Sequence, residues 1–150
     1  MLSLSHYKYD WRRDGNAAEE AIDPLLIDGG SCNSRITWRL TYKDETKTEM
    51  KLTVSGTGAM PNYGTAATPW YKYLEAITEI EITKGVTVIG RCAFYGLKRV
   101  TVVTLPHGLT EIGDYAFNTC KSLSEIDIPE TVTHIAPTAF GKTAITLTLA

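Results

Sequence analysis

Three consecutive segments of 23 residues decide the fold: ITEIEITKGVTVIGRCAFYGLKR (77–99), VTVVTLPHGLTEIGDYAFNTCKS (100–122) and LSEIDIPETVTHIAPTAFGKTAI (123–145). When they are aligned, similar residues recur at positions 23 apart, and each such set is called a column here. One column holds Ile89, Ile112 and Ile135. The pair Ala-Phe forms another, at 93–94, 116–117 and 139–140. A fixed period of this length indicates a solenoid, in which each repeat is one coil stacked on its neighbours.

Each segment begins with an alternation of apolar and polar residues. In the third segment Ile126 and Ile128 alternate with Glu125 and Asp127, which is typical of a half-buried strand. Pro129 ends that strand because proline has no backbone N–H to donate. The small Ala beside the large Phe predicts a tight helical or 3-10 turn. The sequence therefore predicts a mainly β solenoid of about three coils with short helical turns, over residues 74–150.

The repeat resembles that of the BspA-like leucine-rich-repeat family of bacterial surface proteins. That repeat reads L-x-x-I-x-I-P-x-x-V-T-x-I-G-x-x-A-F-x-x-C, and residues 123–135 read LSEIDIPETVTHI, while 113–120 read GDYAFNTC. Upstream, LTVSGTGAM (52–60) and PWY (69–71) are similar to the region that often precedes such repeats. The resemblance covers roughly 32–150. It implies a leucine-rich-repeat solenoid, a cell-surface or secreted location, and a non-catalytic role in adhesion or recognition.

Residues 1–31 do not follow the repeat and are predicted to be an N-terminal extension or linker. Asn16 is followed three residues later by Glu19, which predicts a capped helix. Residues 28–31 read DGGS and predict a turn or linker. Two interpretations of the extension stand: it packs on the first face of the solenoid, or it is a disordered leader.

Residues 32–73 are predicted to form a β-hairpin cap. Residues 36–42 and 50–54 both alternate, and the polar run 43–49 between them predicts a hairpin loop. Continuing the 23-residue step backwards places Tyr71 in the Phe column, and the periodicity fails upstream of Trp70. Two functions suit the aromatic residues of this cap: a platform for a sugar, or a cover for the first coil. They are Tyr63, Trp70, Tyr71 and Tyr73.

The outward positions of the predicted strands form a surface that we call the strand face. Its residues are Glu79, Glu81, Val102, Thr104, Glu125 and Asp127. Solenoids bind partners on extended surfaces of this kind, so the strand face is a candidate site for a protein or glycan ligand. A solvated face without function is the alternative. A Ca²⁺ site is disfavoured, because carboxylates on strands ~9–10 Å apart do not converge six or more oxygens on one ion.

Other chemistry has little support in the sequence. Cys32, Cys92 and Cys120 form neither a C-x-x-C motif nor an even set, although a Cys32–Cys92 disulfide remains an alternative. We expect Cys120 to be buried and Cys92 to be more exposed. No catalytic or phosphate-binding motif occurs, so we predict no enzyme activity, no cofactor and no metal.

Charge and hydropathy exclude further classes of partner. A net charge of −2 gives no basic footprint for nucleic acid or an anionic membrane surface. No apolar run approaches the ~18–20 residues needed to span a bilayer, and the first residues do not read as a signal peptide.

The sequence thus predicts a non-catalytic binding or adhesion module that recognises a protein or glycan through the strand face. The alternative is a structural assembly domain. In that interpretation the run Ile145-Thr-Leu147-Thr-Leu149 belongs to an uncapped C-terminal coil, which self-associates to form a homo-oligomer.

Overall fold

The computed structural model describes residues 23–145, and within this range the secondary structure is almost entirely β. The strands are β1 (Leu26–Ser31), β2 (Ile36–Tyr42), β3 (Met50–Gly56), β4 (Gly58–Ala59), β5 (Ile77–Ile82), β6 (Val86–Ile89), β7 (Val102–Thr104), β8 (Glu111–Ile112) and β9 (His134–Ile135). A single 3-10 turn spans Tyr71–Tyr73. The predicted fold class, a mainly β solenoid of about three coils, is confirmed.

The strands form two sheets along the stack. The first sheet has the order β1-β2-β3-β5-β7, and the second has the order β4-β6-β8-β9. Pairing within the solenoid is parallel, as stacked coils require, and adjacent partners are 23 residues apart, such as Ile80 with Val103 and Ile112 with Ile135. The cap strands β1, β2 and β3 pair antiparallel. The β2–β3 hairpin predicted from the alternation is therefore confirmed.

The cap is also an enlarged coil of the solenoid. β3 pairs parallel with β5, placing Leu52 beside Ile80, and β4 pairs parallel with β6, placing Gly58 beside Val86. Both pairs lie 28 positions apart instead of 23. The Ala-Phe turns form a third edge of the coils, which belongs to neither sheet. At this edge Trp70, not Tyr71, occupies the place of the Phe column, since its ring stacks on Phe94. The placement of Tyr71 in that column is therefore wrong by one residue.

An aromatic stack runs through the third edge of the coils. The rings of Trp70 and Phe94 lie 5.8 Å apart, and those of Phe94 and Phe117 lie 5.3 Å apart. Phe117 and Phe140 continue the stack at 5.3 Å. Backbone bonds accompany the rings, because the Phe94 N–H donates to Ala116 O and the Phe117 N–H donates to Ala139 O, each at 2.8 Å. The tight turn predicted at each Ala-Phe pair is a sequence of turns at 91–96, 114–119 and 137–142.

Two segments differ from the secondary structure predicted for them. Residues 28–31, predicted as a turn or linker, belong to β1 and extend the cap sheet by one strand. Gly29 and Gly30 are typical of a turn, so the sequence does not indicate a strand there. Gly30 pairs with Trp38 of β2, whose ring lies against it. The alternation over 125–128 predicts a strand, but these residues have no strand partner within the described range. The helix expected after Asn16 and the C-terminal run through Leu149 lie outside the described residues.

Candidate functional site on the strand face

The first sheet presents the first four residues of the strand face side by side. Glu79 pairs with Val102 and Glu81 pairs with Thr104 in the parallel ladder of β5 and β7. The intervening Ile80 is fully buried, so period-two alternation turns its neighbours outward. Val102 exposes 45% of its surface and is, with Tyr115, one of two exposed large hydrophobic residues within 23–145. The outward orientation expected from the sequence holds for these strands.

Lysines from the cap pair with the acidic residues of the first coil. The Lys51 Nζ lies 2.7 Å from the Glu81 Oε1 and 3.8 Å from the Glu79 Oε2. The Lys43 Nζ lies 3.5 Å from the Glu79 Oε1 and 3.4 Å from the Glu49 Oε1. The hydrogen bond to Glu81 raises the pKa of Lys51 above its ordinary value. This end of the strand face is therefore close to neutral, a feature that the sequence analysis missed because it treated the acids without the cap.

The third coil carries the last two residues of the strand face, and their charges are not compensated. Glu125 and Asp127 are exposed, and neither forms an ion pair within residues 23–145. Ile126 between them is half-buried. The strand face thus carries a net negative charge at its third coil and little net charge at its first.

The hydrogen-bond ladder opens between the second and third coils on this face. Between the first and second coils, the Thr101 N–H donates to Thr78 O at 2.9 Å and the β5–β7 ladder follows. Within the described range, no backbone bond joins residues 101–105 to residues 123–129. A groove of about 470 Å³ occupies this place, and we call it the inter-coil groove. Residues 101–104 form one wall and residues 125–127 form the other.

The same two coils remain closed along their other edges. On the second sheet the Thr133 N–H donates to Thr110 O and the Ala136 N–H donates to Ile112 O, each at 2.9 Å. At the third edge the Thr119 N–H donates to Gly141 O at 2.9 Å. The groove is therefore a local opening on the strand face, and the third coil is still fixed to the stack.

The aromatic residues of the cap form an interior cluster. Trp70 is fully buried, its Nε1–H donates to Ala93 O at 2.9 Å, and the rings of Trp38 and Tyr63 pack edge-on against it at 5.8 Å. Trp70 has no exposed surface for a sugar and covers the first coil instead. Tyr71 and Tyr73 are half-buried. The Tyr73 hydroxyl donates to the Asp28 Oδ2 at 2.6 Å, which raises the pKa of Tyr73 to about 12.

Tyr63 is the least satisfied polar side chain of this cluster. Its hydroxyl oxygen is buried and has no hydrogen-bond partner among the described residues. Burial, followed by the nearby Cys32 thiol, raises the pKa of Tyr63 above its ordinary value of 10. The hydroxyl therefore stays protonated at neutral pH and presents no charge to a ligand.

The cysteines are free thiols. Cys120 is buried, as expected, and its thiol donates to Phe94 O at 3.2 Å. Cys92 is also fully buried, so the expectation of a more exposed Cys92 is wrong. Cys92 and Tyr115 share a column and a left-handed backbone, with φ of 55° and 57°, but only Tyr115 is exposed.

No group of three or more His, Cys, Asp or Glu side chains within residues 23–145 is placed to hold a metal ion. No helix of this part of the chain is long and apolar enough to cross a membrane.

Comparison with known proteins shows what the chain is similar to. Residues 68–148, more than half of the chain, match the family described as BspA type Leucine rich repeat region, in six copies. No curated protein matches the chain.

Solved structures include similar proteins. A leucine-rich repeat protein from Eubacterium ventriosum has 27% sequence identity and a TM-score of 0.62, over 79% of this chain and 36% of that protein. A leucine rich cell surface protein from Faecalibacterium prausnitzii has 19% identity and a TM-score of 0.46, over 76% of this chain and 33% of that protein. The chain thus spans about a third of the length of each.

Proposed function

This chain belongs to the BspA-type leucine-rich-repeat family, and from that premise we propose that it is a non-catalytic binding or adhesion module of a bacterial cell-surface or secreted protein. Its partner is a protein or a glycan, and it binds on the strand face. The observation that carries the proposal is the third coil, where the exposed Glu125 and Asp127 lie beside the exposed Val102 without an ion-pair partner in the described range.

Physical reasoning supports this choice of surface. The third coil is fixed to the stack along its other two edges, which limits the conformational entropy that is lost when a partner binds. Uncompensated charge next to exposed apolar surface provides both steering and contact area. The second sheet offers less, because β8 and β9 together expose only the side chains of Glu111 and His134.

A charge-reversal experiment tests the proposal. The variant Glu125→Lys/Asp127→Lys is compared with wild type on arrays of bacterial and host surface proteins and glycans. We expect the variant to bind the wild-type partner with an affinity about tenfold or more lower, because electrostatic attraction becomes repulsion. The control Glu45→Lys/Glu111→Lys changes the net charge equally at exposed positions away from the strand face. Equal loss in both variants, or in neither, would contradict the proposal.

One observation favours a second function, structural assembly through the C-terminal coil. Several residues of the third coil are half-buried where their column partners in the second coil are buried. They are Val132, Ile135 and Phe140, whose partners are Leu109, Ile112 and Phe117. Apolar surface of this kind favours stacking on a second copy. Light scattering over a range of concentrations tests this function: assembly predicts a mass that rises above 16.5 kDa, and a constant 16.5 kDa contradicts it.

A further inference from the structure

Resting on the proposed function of the strand face, we propose that its ligand is an extended polypeptide segment with basic residues at alternating positions. This segment inserts into the inter-coil groove as an added strand beside β7.

The backbone of β7 provides the first argument. One edge of β7 pairs with β5, whereas its other edge faces the groove without a backbone partner among residues 23–145. An unpaired strand edge is a template for a further strand, because each free N–H and C=O gains a hydrogen bond when an extended chain lies alongside. With three residues, β7 offers an edge of about 10 Å.

The shape of the groove provides the second argument. A volume of about 470 Å³ lies within the range of roughly 300–1,000 Å³ that is common for ligand pockets. The closed edges at Thr133 and Thr119 hold the two walls at a fixed separation. Both walls of the groove therefore belong to coils that are fixed to each other along two other edges.

The negative charge on one wall of the groove favours a ligand strand with basic residues. Glu125 and Asp127 occupy alternate positions along one wall. Alternate side chains of an extended ligand are about 6.5–7 Å apart and lie on one face, so Lys or Arg at positions i and i+2 meets both acids. Opposite charges on neighbouring strands attract, and like charges repel. The acids of the first coil do not compete for this ligand, since Lys43 and Lys51 already occupy them.

The apolar contacts complete the preference. Val102 is exposed on one wall and Ile126 is half-buried on the other. The ligand residues between the basic ones face inward, towards Ile126, which favours β-branched side chains there because they pack well on a pleated surface. Val102 lies on the outward side and offers apolar surface to the aliphatic stems of the basic residues. The preferred segment thus alternates basic and β-branched residues.

Fluorescence anisotropy with a defined probe tests the inference on the full chain. The probe is a labelled nine-residue peptide of alternating Lys and Val (KVKVKVKVK), and the matched control peptide replaces every Lys by Glu. We expect saturable binding of the basic peptide and none of the acidic one. A third peptide carries N-methyl groups on alternate backbone amides, which removes the donors that a strand pair needs. We expect its affinity to fall by roughly tenfold or more, since several hydrogen bonds are lost.

Variants and hydrogen exchange locate the binding site. Glu125→Gln/Asp127→Asn should weaken the basic peptide by roughly two- to twentyfold. The control Glu45→Gln/Glu111→Gln removes the same charge elsewhere and should bind as wild type does. In the complex, amide exchange should slow at residues 102–104 and 125–127, whereas a peptide on another surface would leave these amides unchanged.

Each remaining outcome decides between the two proposals. Equal binding of the N-methylated and unmodified peptides would overturn strand insertion and leave only charge attraction. Failure of the basic peptide, together with a protein or glycan whose binding depends on Glu125 and Asp127, would overturn the inference and leave the proposed function intact. If no ligand depends on these residues, both proposals fail.

Discussion

At the scale of single residues, the coil imposes one left-handed backbone position after each Ala-Phe turn. Gly96, Thr119 and Lys142 share one column, and their φ angles are 77°, 66° and 58°. Only the first coil has glycine there, and a β-branched residue in this conformation is strained. The repeat therefore determines the backbone conformation at this position, whichever side chain occupies it.

The substitution Thr119→Gly should stabilise the protein. Relief of the left-handed strain contributes about 1–2 kcal/mol, and the greater freedom of glycine in the unfolded chain offsets about 0.5–1 kcal/mol of this. We expect a net gain of roughly 0.5–1 kcal/mol in the free energy of unfolding, measured by urea denaturation. Thr119→Ala is the control, because it removes the hydroxyl and keeps the strain. An equal gain in both variants would assign the effect to the hydroxyl instead.

The buried thiol of Cys120 should make stability depend on pH. Burial raises the pKa of Cys120 from 9.0 to about 12 in the folded protein. Between these values the unfolded chain loses a proton that the folded chain keeps, so the stabilising contribution is complete below pH 9 and decreases as the pH rises towards 12. Relative to Cys120→Ala, wild type should lose on the order of 1 kcal/mol by pH 10, measured by denaturation across pH. Parallel pH profiles of the two proteins would refute this assignment.

At the scale of elements, one glycine column shows how closely the cap is fitted to the first coil. A Cβ at Gly90 would lie 2.0 Å from Pro61 O, whereas at Gly113 it would lie 3.0 Å from Ile89 O. The third coil already has Ala136 in this column. The clearance is therefore smallest where the cap loop approaches the first coil.

Gly90→Ala should consequently disrupt the contact between the cap and the first coil. Overpacking of this kind typically costs about 1–3 kcal/mol, and a backbone carbonyl as the obstacle places this site at the upper end. Gly113→Ala, the matched control, should cost less. Denaturation followed by tryptophan fluorescence measures both, since Trp38 and Trp70 lie in the cap cluster. If the two costs were equal, the close approach of Pro61 would not be the cause.

The aromatic stack should show a gradient along the coils. Phe117 is fully buried between Phe94 and Phe140, and Phe140 is only half-buried. We expect Phe117→Ala to cost about 3–5 kcal/mol and Phe140→Ala distinctly less, measured by chemical denaturation. A larger loss for Phe140→Ala would mean that the third coil packs more tightly than the structure shows.

The sequence predicts the coils of 77–145 well, because stacked coils of equal length must repeat their inward residues at one spacing. It does not reveal the enlarged coil of the cap, since Leu52 pairs with Ile80 at a spacing of 28 while Trp70 reaches Phe94 at 24. Most of the extra residues lie between Ala59 and Trp70, where a loop lengthens without disturbing either sheet. This coil would have been found by aligning the alternating residues of the cap with those of the first coil at spacings other than 23.

The inter-coil groove could not be predicted from the sequence. Residues 123–128 alternate as regularly as those of the first two coils, so the pattern implies a continuous ladder. Whether neighbouring strands reach hydrogen-bond distance depends on the tilt of one coil against the next, which the alternation does not determine. The compensation of Glu79 by Lys51 also requires the register of β3 against β5.

At the scale of the whole molecule, the groove predicts unequal local stability within one coil interface. The Ser124 amide has no backbone acceptor among the described residues, whereas its column partner Thr101 donates to Thr78. We expect the Ser124 amide to exchange on the order of tenfold or more faster than that of Thr101 in native-state hydrogen exchange. Thr133, on the closed second sheet of the same interface, is the control and should be protected. If Thr133 exchanged as fast as Ser124, the whole third coil would be opening.

The groove also determines how the stack responds to tension. The first and second coils are joined by backbone bonds along three edges, and the second and third coils along two. A pull that separates the ends of the stack therefore meets its weakest resistance at the strand face of the third coil. Under such a pull the third coil rotates about its two bonded edges, and the strand face opens. This coil yields first, and the cap and the first coil stay folded under a force that has already displaced the third.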